Sequence, residues 1–189
     1  DPRVGTAGQV EKGSFDSKGD RKFTRGGATL IVPGQPEWRP ISPGRTNPWK
    51  VWQHPFTPDP ENPEHKDKDA GRYVMGVDVS GGESQGKDES AWHAICVIDH
   101  RTREQVATYR SRIDADLLAR EVYLAARYWN DAWLAVEITG GWGIPIARII
   151  RRDYHYAFQY RRKKVDRAWH ESSEDRLGWD TNRITRPLL

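Results

Sequence analysis

One cysteine and one methionine stand in 189 residues. With Cys96 alone, no disulfide can close within the chain, and cysteine-rich zinc coordination is excluded. Six scattered histidines offer no zinc-site spacing either. Apolar residues make up only 36% of the chain and the mean hydropathy is −0.86, which is lean for a polypeptide packed from end to end. No signal peptide is legible, and no apolar run is long enough to cross a bilayer, so a soluble protein is expected. The net charge of +3 and pI near 9.0 are too slight an imbalance to indicate nucleic acid; where the charge lies matters more. The length suits one ordinary domain with extensions. The chain opens on Asp1 rather than methionine and stops at Leu189, which reads as a fragment.

What the chain has in quantity is proline, glycine and charge, and these are unevenly spread. Residues 1–70 are rich in all three. Ala28–Val32 and Trp49–Trp52 are short strand candidates, while Pro55, Pro58, Pro60 and Pro63 exclude helix and central strand. This portion is expected to be a loosely ordered extension and linker, with Trp38, Trp49 and Trp52 available to pack it against the rest.

From Tyr73 the pattern is regular. Strands are predicted over 73–79, 91–99 and 104–111, the last two joined by the hairpin-length His100–Arg103. Asp114 caps a predicted helix whose apolar positions Leu118, Val122, Ala125 and Trp129 recur every three to four residues. A fourth strand over 133–138 follows, then a glycine turn, a helix with Pro145 in its first turn, and a fifth strand over 154–160. A right-handed crossover after the third strand places the fourth parallel to the first, giving a mixed α/β sheet of order 3-2-1-4-5 over residues 71–189.

Two strands end alike. Tyr73-Val-Met-Gly-Val-Asp-Val79 runs into a glycine-rich turn, and Trp133-Leu-Ala-Val-Glu137 runs into Ile138-Thr-Gly-Gly-Trp-Gly143. A carboxylate at the end of an apolar strand is costly unless something satisfies it. Asp78 and Glu137, brought to one edge of a parallel pair, would suit a divalent cation; satisfaction by basic neighbours or turn amides is the alternative. Asp88 is a further candidate ligand or a plain turn residue.

Gly81–Lys87 fits the first seven positions of a phosphate-binding loop, but Asp88 replaces the required Ser or Thr and strand-like residues follow. A nucleotide-binding domain is therefore the rival, and a non-catalytic DNA- or partner-binding module a third reading. Residues 148–167 hold eight basic against two acidic side chains, an excess of six where the whole chain shows +3. Arg161, Arg162, Lys163 and Lys164 are the candidate contacts to DNA phosphates.

Gly76-Val-Asp-Val-Ser-Gly-Gly82 with Lys87-Asp-Glu-Ser90 resembles the opening of the nuclease domain of phage terminase large subunits. Val136–Gly143 is similar to that family's second carboxylate and glycine turn. Leu177-Gly-Trp-Asp-Thr-Asn182 through Thr185-Arg-Pro-Leu188, and Pro48–Trp52 with Pro55, match neighbouring stretches, so the resemblance covers about 48–189. It implies an RNase H-like fold, incomplete at its C-terminus, that cuts viral double-stranded DNA during genome packaging with two divalent ions, Mg2+ or Mn2+. In that reading Asp78 bridges the ions, Glu137 completes one and Asp88 holds the second. The implied partners are the portal and the small terminase subunit, in the cytoplasm of an infected bacterial host. Thr139 stands where the family usually has Asn. The family's third metal-binding aspartate would fall past Leu189, and its ATPase motor is not in this chain.

Overall fold

A computed structural model describes residues 10–41, 49–56, 71–80, 92–162 and 177–181. The elements are β1 (Glu11–Lys18), β2 (Arg21–Arg25), β3 (Ala28–Val32), β4 (Gln35–Pro40), β5 (Trp49–Val51), β6 (Tyr73–Asp78), β7 (His93–Asp99), β8 (Glu104–Ser111), α1 (Ala115–Tyr128), β9 (Trp133–Val136) and α2 (Gly143–Arg148). A 3-10 turn (Thr139–Gly141) precedes α2, and a π-type turn (Ile149–Asp153) continues from it. The protein is mixed α/β. Seven strands form one mixed sheet in the order β4-β1-β5-β8-β7-β6-β9, and β2 and β3 pair separately as a hairpin.

The period-two pattern of β6 and β7 decides which face is buried. Tyr73, Met75 and Val77 of β6 and Ile95 and Val97 of β7 turn inward, against Leu118, Val122, Leu124 and Ala125 of α1 and Ile146 and Ile150 after β9. Leu118, Val122, Ala125 and Trp129, the predicted helical stripe, are all fully buried. Asp114 is the N-cap of α1 by position, although its side chain makes no capping hydrogen bond.

Among the described strands of the sheet, β6 and β9 alone pair in parallel, and the other pairs are antiparallel. The strands over 104–111, 93–99, 73–78 and 133–136 stand next to one another in the expected sequence. The expected fifth strand does not form. After the π-type turn, His155 takes a left-handed conformation (φ 56°), and the chain touches β9 through one parallel bridge, Leu134 to Gln159. Tyr156 is buried whereas Phe158 and Tyr160 are exposed, so the aromatics do not share one face.

The N-terminal portion also departs from expectation. β1, β4 and β5 extend the same sheet beyond β8, with Lys50 paired to Thr108 and Val51 to Ala107. Phe15 and Trp49 are buried in the common core, and Trp49 Nε1 donates to Glu121 of α1 at 3.0 Å. Aromatic side chains supply large apolar area, so a few of them suffice to bind a glycine-rich segment to a sheet edge. Trp52 is 41% exposed and takes no such part. Among the described residues no helix is long and apolar enough to cross a membrane.

Candidate active site

Asp78 ends β6, and Glu137 follows directly on β9. The parallel register Gly76–Ala135, Val77–Val136 carries them to adjacent positions, and Glu137 N–H donates to Val77 O at 2.8 Å. Both belong to the sheet face that the helices leave uncovered. The next residues fix Glu137 from the other side: Trp179 N–H donates to Val136 O and Ile138 N–H to Trp179 O, each at 2.7 Å. Gly178, at φ 89°, permits this approach, because a Cβ there would stand 2.4 Å from Ile138 Cγ2. Thr139 accepts from Thr181 N–H at 2.8 Å and secures the same segment.

The two carboxyl groups interact. Asp78 is held above the ordinary aspartate range, first by desolvation and then by the charge of Glu137, to which protonated Asp78 donates a hydrogen bond. His93 pulls in the opposite direction. This histidine went unnoticed in the sequence, although it begins the strand whose Ala94 pairs with Asp78. Its Nε2 donates to Ile113 O at 2.9 Å, and its Nδ1 lies 3.3 Å from the Ser80 hydroxyl.

A groove of about 450 Å³ opens beside the pair, a volume within the range of ligand sites. Its floor is made of Gly76, Ala94, Cys96, Thr108 and Ala135, and Trp179 and Thr181 form one wall. Cys96 lines this groove half-buried. The floor residues were legible only as the alternate positions of four strands. That they are small, and adjacent, is a property of the sheet register.

Two oxygen-donor side chains at one point, with the aspartate short of stabilisation as an anion, are the chemistry a hard divalent cation satisfies. They fit one such ion. Among the described residues no cluster of three His, Cys, Asp or Glu side chains is placed to hold a metal. Asp88, Lys163 and Lys164 lie outside the described residues, as does the Gly81–Lys87 stretch. Arg161 is exposed and bridges Leu177 across the chain. Arg162 is drawn into an ion pair with Asp180 at 2.9 Å, which competes with the phosphate contact expected of it. The basic run is thus partly committed to holding the 177–181 segment. No family model and no curated protein matches this chain.

Proposed function

We propose that Asp78 and Glu137 form the cation site of a metal-dependent DNA endonuclease. The observation that carries this reading is the parallel β6–β9 pairing, which sets two carboxylates side by side at the mouth of an open groove. Mg2+ or Mn2+ held by this pair would supply polarisation of a phosphodiester and activation of water. Asp88, on the connection that leaves β6 after Ser80, is the proposed source of a further carboxylate and of the second ion's ligand. The RNase H-like family, double-stranded viral DNA as substrate, and the portal and small terminase subunit as partners belong to the same proposal, supported by the motif resemblance.

The chain's own residues contribute three things. Asp78 and Glu137 concentrate negative charge at one place, so that proton and cation compete for it. The small side chains of the floor at Gly76, Ala94 and Ala135 let a sugar–phosphate backbone come close to the sheet. The Trp179–Thr181 wall, tied to Val136, Ile138 and Thr139, keeps Glu137 in place.

Nicking of supercoiled plasmid in Mn2+ tests the reading, with calorimetric Mn2+ binding alongside. Asp78→Ala and Glu137→Ala should each lower the nicking rate on the order of a hundredfold, a barrier increase of about 2.7 kcal/mol, and abolish the Mn2+ binding isotherm. Cutting that survives both substitutions would show that the site lies elsewhere.

A further inference from the structure

Immediately before β7, Trp92 holds two guanidinium groups close to its ring. Arg110 Cζ is 4.5 Å and Arg112 Cζ 4.4 Å from its ring centre. Cation–π stacking of this kind holds both planar groups in place without consuming their N–H donors. The pairing Asp78–Ala94–Arg110 across β6, β7 and β8 puts Arg110 on the same sheet face as Asp78. The neighbouring row runs Gly76–Cys96–Thr108–Lys50–Lys12, so two lysines extend the basic side of this face into β5 and β1. Arg110, Arg112, Lys50 and Lys12 are all exposed, and none pairs with a carboxylate among the described residues.

The uncovered face is therefore polarised. Four cations stand along β8, β5 and β1, two acids stand at β6 and β9, and a small-residue floor separates them. Arg110 and Asp78 are two strands apart, roughly 10 Å at about 4.8 Å per strand. One DNA strand advances about 3.4 Å per phosphate, so that span covers about three phosphates. A polyanion with closely repeated charges can thus meet the guanidinium groups while a neighbouring phosphate reaches the acid pair.

We propose that this face is the DNA-binding surface, with Arg110 and Arg112 gripping backbone phosphates that flank the one at Asp78 and Glu137, and Lys50 and Lys12 extending the track. The proposal rests on the nuclease reading for the phosphate at the acid pair, and it assigns the principal DNA contact to these four residues rather than to Arg161–Lys164. Such contacts neutralise charge without reading bases, so binding should be indifferent to sequence.

The test is fluorescence anisotropy with labelled duplexes of unrelated sequence, in EDTA, across a salt series. Arg110→Ala with Arg112→Ala should weaken binding equally for all duplexes and reduce the slope of log affinity against log salt by about two units, close to 0.9 for each lost phosphate contact. Arg110→Lys with Arg112→Lys should keep the slope, and Arg161→Ala should leave it unchanged. Thermal melting verifies that the variants fold; if the double alanine variant does not, Arg112→Glu, beyond the end of β8, reads the same slope by charge reversal. Asp78→Ala should bind DNA at least as tightly as the parent while losing nicking. An unchanged slope in the folded arginine variants, or competition by polyglutamate as effective as by unlabelled duplex, would overturn the surface. Asp78-dependent nicking with silent arginines would remove the surface and leave the nuclease reading standing; arginine-dependent binding without nicking would do the reverse.

Discussion

Asp78 gains a proton more readily in the folded protein than in the unfolded chain, because desolvation and the charge of Glu137 both oppose its ionisation. The sign of the consequence follows from linkage. As pH rises, the unfolded chain ionises this aspartate first, so stability present below the ordinary carboxylate value is lost as pH climbs through the raised value in the fold. In metal-free buffer, Asp78→Asn should therefore melt at a higher temperature than the parent at neutral pH, and the difference should vanish in acid below that window. Saturating Mn2+ should raise the parent's melting temperature and not the variant's. A variant that is less stable than the parent at neutral pH would mean that the site favours the charged form without a metal. The carboxylate itself was recognisable in the sequence from its place at the end of an apolar strand. Its proton affinity was not, since that depends on a residue from another strand.

At the scale of elements, the turn between β9 and α2 is where the chain is most tightly constrained. Gly143 begins α2 directly against the Glu137 carbonyl, and a Cβ there would lie 1.9 Å from that oxygen. Gly143→Ala must displace either the helix or Glu137. It should cost roughly 1–3 kcal/mol in urea unfolding, as overpacking does, and weaken Mn2+ binding by calorimetry. Gly76→Ala is the contrasting case: nothing lies within 4 Å of its added methyl, which would project into the groove. That variant should fold normally and bind DNA less well; equal loss of stability in both would refute the distinction. The glycines of Ile138–Gly143 announced a turn in the sequence, and α1 was evident from its stripe. The fifth strand misled because alternating aromatics indicate a pleated conformation without providing a partner. Beside β9, the place at Glu137 is taken by Trp179, and the pairing with Leu134 is confined to one bridge at Gln159, made by Phe158 O and Tyr160 N–H.

Over the whole molecule, the N-terminal strands and the later α/β unit share one core. Phe15 of β1 packs its ring against those of Trp38, Trp49, Tyr128 and Trp129 at centroid distances between 5.0 and 5.6 Å. Phe15→Ala should destabilise the protein by about 3–5 kcal/mol, shifting one cooperative urea transition followed by both tryptophan fluorescence and helical circular dichroism. If the helical signal kept its original midpoint while fluorescence moved, residues 10–56 would be an attached extension after all. The sequence by itself determined the four strands from β6 to β9 and the helix α1, the absence of internal disulfides and the presence of an acid at the end of two apolar strands, because periodicity and turn chemistry are carried by neighbouring residues. Tertiary structure decided that β1, β4 and β5 join the sheet, that Asp78 and Glu137 stand side by side, and that Arg110 lies two strands from Asp78 with the small Ala94 between them. Each of those depends on cross-strand register between segments far apart in the chain, which is settled by how the strands pack together and by no local pattern.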